Sequence, residues 1–238
     1  MAQPGTPMDR QFARVVGLGI DCRVRYQISR SLYDRLPPEK RTEPFEKALY
    51  ATARATTPHG TFFFDWLVSP AKAVARCLNE DFKGVFRREN LAINAAGSAV
   101  DKEYGIVFQH AFSRVEGKVT DAIVDQEYEA QQVKFAYLAN KTLANFSEPE
   151  PTLYVIAGAT PSDLGAVQEA IANKKPAHPF HVLAVRGDQT TRGFVETTDT
   201  HSVYVMTQQV NKPASHRWQG DDGEWSALLG PIAIASRD

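Results

Sequence analysis

The chain has 238 residues, of which 43% are hydrophobic, and its 27 lysines and arginines nearly balance its 28 aspartates and glutamates. This balance argues against the basic excess typical of proteins that bind nucleic acids or acidic membrane surfaces. Two cysteines in a chain this long exclude a disulfide scaffold and a four-cysteine zinc site. The length permits one large α/β domain or two small ones, and we favour one.

The composition also bears on location and partners. The N-terminal residues MAQPGTPMDRQFAR lack the apolar centre of a secretory signal, and no later run approaches the roughly 20 apolar residues that span a bilayer. We therefore expect no membrane span and a reducing, cytoplasmic location. The expected substrate is a small molecule, a glycan or a peptide, and self-association into a homo-oligomer stays open.

Six short apolar runs have the nearly continuous hydrophobicity of strands that are covered on both faces. They are RVVGLGI at 14–20, TFFFDWL at 61–67, YGIVFQHAF at 104–112, LYVIAGA at 153–159, FHVLAVR at 180–186 and SVYVMTQQ at 202–209. The region 84–103 is interpreted mostly as loop.

Helical patterns separate these apolar runs. The first has an apolar residue every four positions and is ended by two prolines, which predicts an amphipathic helix with Val24, Ile28, Leu32 and Leu36 on one face. Three more helices are predicted: 69–82 with Ser69 as N-cap, 125–146 with Val133, Ala136, Tyr137 and Leu143 toward a core, and 160–171 with Thr160, Pro161 and Asp163 at its start.

The alternation of strands and helices predicts an α/β fold with a mostly parallel central sheet flanked by helices. We assign 14–238 to a single domain that follows a flexible N-terminus at 1–13. The segment 144–152 is the candidate hinge, with an ordinary surface loop as the alternative.

Cys22 directly follows the first predicted strand and opens the next helix, which makes it a nucleophile-type cysteine at the first strand-to-helix turn. The helix dipole there, together with Arg23 and Arg25, is expected to lower the pKa of the thiol. The backbone N–H groups at 22–24 are candidates for an oxyanion hole. The alternative is a buried packing residue, which is the favoured interpretation for Cys77 on the apolar face of a predicted helix.

A cysteine nucleophile needs a base or a cationic partner, and histidine is the usual one. Among six histidines the best candidate is His110, which lies near the end of an apolar run, with a buried, hydrogen-bonded structural histidine as the alternative. Asp65 lies within the apolar FFFDW segment, where an unpaired charge is costly. It is therefore expected to orient a histidine or an arginine, with capping of the helix that begins at Ser69 as the alternative.

The sequence lacks the motifs of several common metal and cofactor sites. It contains no HExxH motif and no clustered cysteines and histidines, so we expect no metal. The VVGLGID segment has two glycines of the dinucleotide-binding pattern, but Cys22 stands where the third glycine is needed. No phosphate-binding GxxxxGK[ST] loop occurs either, and we expect no cofactor.

Three segments together resemble an uncharacterised bacterial domain family that is grouped with the papain-like cysteine peptidases and is often associated with polysaccharide-related genes. Its pattern looks like L-G-x-x-C, then P-F-D-W, then H-D-F. This chain reads LGIDC at 18–22, FFDW at 63–66 and FQHAF at 108–112, in the same order.

The resemblance implies Cys22 as nucleophile, His110 as its base and Asp65 as a third polar member of the site. Two departures from the family stand out. Ala111 replaces the acid that follows the histidine, and the basic pair on the following long helix is replaced around KFAYLAN at 134–140. Either departure implies altered substrate recognition or lost activity.

A second arrangement stays open because Asp65 precedes His110, whereas the third residue of a papain-like site follows the histidine. A cysteine after the first strand also looks like the serine position of SGNH-type hydrolases and acyltransferases. Their acid and base lie near the C-terminus, where this chain offers His216, Asp221 and Asp222, although in an order that fits poorly.

The tail RWQGDDGEW has two interpretations. Its tryptophans can line a substrate pocket, or they can form a packing lid in which Asp221 or Asp222 caps a helix near Glu224. We take as candidate substrate-binding residues Arg23, Arg25, Trp66, Trp218 and Trp225.

The sequence therefore predicts a thiol-dependent acyl-transfer enzyme, a cysteine peptidase or hydrolase, with Cys22 as nucleophile and His110 as base. The alternatives are a glycan acyltransferase of SGNH-like arrangement and a non-catalytic binding or assembly protein with a degraded site.

Overall fold

The computed structural model describes residues 7–51, 60–188, 190–207 and 213–235. The last two residues of the strand predicted at 202–209 and the first six of the chain lie outside these ranges. The helices are α1 (Cys22–Asp34), α2 (Phe45–Ala51), α3 (Ala71–Asn79), α4 (Asp121–Asn145), α5 (Pro161–Lys174) and α6 (Asp222–Leu229). The strands are β1 (Gln11–Phe12), β2 (Arg14–Gly17), β3 (Leu91–Ile93), β4 (Ala99–Asp101), β5 (Ile106–Phe108), β6 (Thr152–Ala157), β7 (Phe180–Gly187), β8 (Gly193–Thr197), β9 (His201–Met206) and β10 (Ala233–Ile234).

The central sheet confirms the predicted α/β architecture. Its order is β2-β6-β7-β9-β8; the first four strands are parallel, and β8 pairs antiparallel at the edge. Alternate side chains of the strands point to opposite faces. In β6, Tyr154 and Ile156 join the core that contains α3, α4 and α5, while Leu153 and Val155 join the core that contains α1 and α6. The sheet is thus covered by helices on both faces.

The helix starts and faces agree with the sequence where local signals are strong. In α1, Val24, Ile28 and Leu32 are buried against the sheet, as their spacing predicts. In α5, Thr160 and Asp163 form a reciprocal capping box, since each side chain accepts a hydrogen bond from the other residue's backbone N–H.

The core-facing side of α4 was predicted wrongly for Val133, Ala136 and Tyr137, whereas Leu143 is half-buried against the core. Val133 is 72% exposed and Tyr137 is 64% exposed, and it is Phe135 and Leu138 that are buried. Phe135 packs against the rings of other buried phenylalanines at centroid distances of 4.6–5.7 Å. This helix carries apolar residues on two sides, and contacts with distant segments decide which side faces the core.

The predicted strand at 61–67 is a tight turn instead. Phe62, Phe63 and Phe64 are all buried, and the backbone N–H of Asp65 donates to the carbonyl of Phe62 at 3.2 Å, which closes the turn. Trp66 has a positive φ of 66°, which is outside the extended region and ends the turn with a change of chain direction. The predicted N-cap Ser69 was also wrong, because α3 is preceded by Pro70 and has no side-chain cap.

The region 84–112 also differs from its prediction. Rather than one loop and one long strand, it forms a three-stranded antiparallel sheet in the order β3-β4-β5. Buried Asp101 organises this part, because its carboxylate accepts hydrogen bonds from the backbone N–H groups of Phe86, Glu103 and Tyr104. Only Ile106–Phe108 of the predicted strand at 104–112 is extended.

The described part of the N-terminal segment includes a short strand. Residues 11–12 form β1, which pairs in parallel with β10, and Phe12 is 1% exposed. These residues lie within the N-terminus predicted as flexible through residue 13, and flexibility of that segment stays a prediction. Within the described ranges, none of the helices combines the length and the apolarity that crossing a bilayer requires.

Candidate functional site

The turn between β2 and α1 carries Cys22, and its glycines explain how it is packed. A Cβ on Gly17 would lie 3.0 Å from Asp65 Oδ1, and one on Gly19 would lie 2.9 Å from the Cβ of Ser69. Gly19 also has a positive φ of 82°, which favours glycine. These glycines let the turn approach the segment 65–69 closely.

Residues 68–69 connect the Cys22 turn to the His110 turn. The backbone N–H of Ser69 donates to the carbonyl of Ile20 at 3.1 Å. Val68 and Val107 exchange two backbone hydrogen bonds of 3.1 Å and 2.9 Å, so the end of β5 lies beside the same segment. His110 therefore reaches the site from the small antiparallel sheet, not from the central sheet as its apolar run indicated.

Cys22 and His110 line one cavity of about 490 Å³, which we call the Cys22 cavity. The structure thus brings together the two residues predicted as nucleophile and base. None of the hydrogen bonds among the described residues joins their side chains directly. Among the described residues, the cavity is lined by Asp21, Cys22, Leu49, Trp66, Val68, Gln109, His110 and Trp218.

Trp218 is positioned by contacts with α1. It lies in a short 3₁₀ helix, Ala214–Gln219, whose carbonyl at Trp218 accepts a hydrogen bond from Arg23 Nε at 3.0 Å. Its ring packs edge-on against Tyr26 at a centroid distance of 5.3 Å. Trp66 and Trp218 thus line the cavity, as expected of substrate-binding residues.

The pKa of the Cys22 thiol is raised to about 11, opposite to the direction expected from its place at a helix start. Burial is the larger cause, because Cys22 is 7% exposed, and the charge of Asp21 adds to it. Arg23 does not compensate, since it pairs with Asp21 at 3.4 Å. Near neutral pH the thiol is protonated.

Asp21 also changes the expected oxyanion hole. As the N-cap of α1, its Oδ1 accepts a hydrogen bond from the backbone N–H of Arg23 at 2.9 Å. That N–H is therefore occupied by a side chain rather than open to a substrate. Gln109, which precedes His110 and also lines the cavity, carries a side-chain amide that is an alternative donor.

His110 is exposed at the edge of the cavity. Partial desolvation lowers its pKa below the usual 6.5, and the positive charges of Arg114 and Lys134 act in the same direction. The ring is therefore neutral near pH 7 and able to accept a proton. The adjacent Ala111 is buried.

Asp65 is not among the residues that line the Cys22 cavity. Its Oδ2 accepts a hydrogen bond from the backbone N–H of Phe62 at 2.8 Å and pairs with Arg25 at 3.3 Å. Both side chains are almost completely buried. Of the two partners that the sequence allowed, Asp65 thus contacts an arginine and not a histidine, and it does not cap α3. Arg25 is correspondingly committed to Asp65 and does not line the cavity as a substrate-binding residue.

Two other predicted residues belong to a different cavity. Arg23 and Trp225 line a space of about 280 Å³ at the carboxyl ends of β6, β7 and β9, which we call the strand-end crevice. Asp21 lines both cavities. Neither Arg23 nor Trp225 lines the Cys22 cavity, and His110 does not line the strand-end crevice.

The C-terminal residues of the SGNH-like arrangement do not line the Cys22 cavity. Asp221 caps α6 by accepting a hydrogen bond from Glu224 N at 2.8 Å, which confirms the capping alternative. Asp222 accepts from Gln27 Nε2 at 2.8 Å and pairs with Arg30 at 3.2 Å. His216 is exposed on the 3₁₀ helix and contacts Ser215.

Sequence reasoning missed Asp21 and Gln109 as cavity residues. Each is the direct neighbour of a predicted site residue, which was the available signal. Among the described residues, no group of three histidine, cysteine, aspartate or glutamate side chains is arranged to hold a metal ion. Comparisons with protein-family models, with curated proteins and with solved structures found no significant match.

Replacing Asp21 with asparagine is expected to lower the pKa of Cys22, by up to about one unit, because a neighbouring negative charge is removed. Asparagine is as good an N-cap as aspartate, so α1 should keep its start. The measurement is the thiolate absorbance of the variant against pH, with the Cys22→Ser protein subtracted. An unchanged titration would show that burial alone sets the pKa.

Proposed function

We propose that this protein is a thiol-dependent acyl-transfer enzyme in which Cys22 attacks a carbonyl carbon and His110 transfers the proton. The observation that carries the proposal is the single cavity lined by Cys22, His110, Trp66 and Trp218. The resemblance to the papain-like domain family supports the same two residues. A cytoplasmic location belongs to the proposal, and two free cysteines support a reducing compartment.

The raised pKa of Cys22 favours proton transfer during the attack over a thiolate formed beforehand. In the first step, neutral His110 accepts the S–H proton while sulfur bonds to the carbonyl carbon. His110 reaches the thiol by rotation of its side chain or through one water molecule, since no direct hydrogen bond joins them among the described residues. Gln109 lines the cavity, and in this proposal its side-chain amide donates to the developing oxyanion.

The protonated His110 then gives its proton to the leaving group, which leaves an acyl thioester on Cys22. In the second step an acceptor attacks the thioester carbonyl and His110 takes the acceptor's proton. The C–S bond then breaks, and His110 returns the proton to sulfur, which restores the thiol and the neutral ring. Water as acceptor gives a hydrolase or peptidase, and an amine or hydroxyl group gives a transferase.

The cavity also indicates which acyl donor suits it. Leu49, Trp66 and Trp218 provide an apolar, partly aromatic wall, and the charged residue of the lining is Asp21. An arginine or lysine is missing from the cavity's described lining. The site therefore suits a neutral or cationic donor with an apolar or aromatic group better than an anionic one.

A non-catalytic binding protein is the second candidate, because the raised pKa of Cys22 and the presence of Ala111 beside His110 both disfavour chemistry. In that case the cavity would take an apolar ligand reversibly. The two candidates differ in whether a covalent acyl adduct forms.

The test treats the protein with p-nitrophenyl acetate and with the p-nitrophenyl ester of hydrocinnamic acid, and follows the acyl adduct by intact mass and peptide mapping. We expect an adduct on Cys22 that forms faster with the aromatic ester. Its rate should rise with pH through the pKa of His110, below 6.5, and then stay level to about pH 9, because the neutral ring is the base.

The matched control is Cys77→Ala, which removes the buried thiol of α3 and should leave the adduct rate unchanged. An adduct confined to lysines or to Cys77 would contradict the proposal. So would a Cys22 adduct whose rate rises tenfold per pH unit throughout, since that dependence requires no base.

A further inference from the structure

The strand-end crevice is a second place where this fold can bind a small molecule. It lies outside the carboxyl ends of β6, β7 and β9, beside the starts of α1 and α6, which is where open α/β sheets bind ligands. Gly158 and Gly187 line it without side chains and leave about 280 Å³ open. That volume suits a ligand smaller than the drug-sized molecules of roughly 300–1,000 Å³ pockets.

Arg186 supplies a positive charge that forms no ion pair with another described residue. Its Nε donates to the carbonyl of Ala159 at 2.9 Å, which fixes the guanidinium at the crevice. No ion pair among the described residues involves its terminal nitrogens, whereas Arg23, the other basic lining residue, pairs with Asp21. A guanidinium with two free N–H₂ groups matches a carboxylate in a bidentate geometry.

Glu224 supplies a complementary acceptor in the same crevice. Its Oε1 accepts from the backbone N–H and the hydroxyl of Thr207 at 3.2 Å and 2.6 Å, and pairs with Arg192 at 2.7 Å. Its Oε2 is buried and accepts no hydrogen bond from the residues that the structure describes. A buried carboxylate oxygen without a donor is costly, and a ligand that brings a donor would satisfy it.

We propose that the strand-end crevice binds a small zwitterion of the α-amino-acid class. The carboxylate of the ligand binds the guanidinium of Arg186, and its ammonium group donates to Glu224 Oε2. Binding here is independent of the chemistry proposed for Cys22, because Cys22 and His110 are not part of this lining.

The test is isothermal titration of the full chain with three probes: L-alanine, propionate, which lacks the amine, and ethylamine, which lacks the carboxylate. We expect L-alanine to bind at least about tenfold more tightly than either fragment, since each lacks one charged hydrogen bond. Arg186→Met should weaken L-alanine binding by about ten- to a hundredfold. Glu224→Gln should weaken the binding of L-alanine but not that of propionate. The glutamine side chain presents an N–H₂ donor where the ammonium group of L-alanine needs an acceptor.

The control is Arg87→Met, which changes an exposed arginine outside the crevice and should leave L-alanine binding unchanged. Arg186→Lys, which keeps the charge but not the bidentate geometry, should weaken binding less than methionine does. Absence of L-alanine binding, equal binding of propionate, or unchanged binding in folded Arg186→Met would overturn the proposal. Loss of the Cys22 adduct with intact L-alanine binding would overturn the proposed acyl transfer alone.

Discussion

Replacing Cys22 with serine is expected to lower acyl transfer by about a thousandfold or more while the protein stays folded. The hydroxyl is a far weaker acid than even the thiol of pKa about 11, so His110 has to remove a proton that is held more tightly. The residue is 7% exposed and serine is slightly smaller, so the turn between β2 and α1 should keep its geometry. Release of p-nitrophenolate and the mass of the adduct measure the loss.

Two further variants distinguish loss of the nucleophile from loss of the fold. Cys22→Ala removes any nucleophile at this position and should match serine in rate, while the melting temperature of both variants is measured beside the wild type. His110→Gln should slow the adduct by about 10²- to 10⁴-fold and remove the rise with pH below 6.5. Retained turnover in folded Cys22→Ser would show that another residue is the nucleophile.

The parts of the fold that the sequence predicted are those decided by local signals. The capping box at Thr160 and Asp163 requires two polar residues three positions apart. The apolar face of α1 requires an apolar residue at every fourth position. Both are confirmed. The same local reasoning identified Cys22 and His110, which share a cavity in the structure.

The parts that the sequence could not predict depend on residues far apart in the chain. The turn at 62–66 exists because Asp65 meets Arg25, forty positions earlier, and because Trp66 accepts a positive φ. A run of apolar letters is equally typical of a strand, so its pattern gives no sign of the turn. The pKa of Cys22 was missed for the same reason, since burial of the thiol comes from the whole fold and outweighs the local helix effect.

The buried pair of Arg25 and Asp65 joins α1 to the turn that carries Trp66, and so it fixes two walls of the Cys22 cavity relative to each other. Burial raises the pKa of Asp65, while the charge of Arg25 and the N–H of Phe62 oppose that shift. Removing a charge from water costs free energy, and each of these two buried charges offsets that cost only while the other is present. We therefore assign both residues a positioning role.

Replacing Asp65 with asparagine is expected to destabilise the protein by about 3–5 kcal/mol, because Arg25, 3% exposed, then keeps a buried charge without its carboxylate. Urea unfolding followed by tryptophan fluorescence measures the change. The double variant Arg25→Met, Asp65→Leu removes both charges and should recover most of the lost stability. Its adduct rate should remain below that of the wild type, because the ion pair that orients α1 against the Trp66 turn is gone. A single variant as stable as the wild type would show that Arg25 finds other partners or water, and that the pair does not fix the cavity.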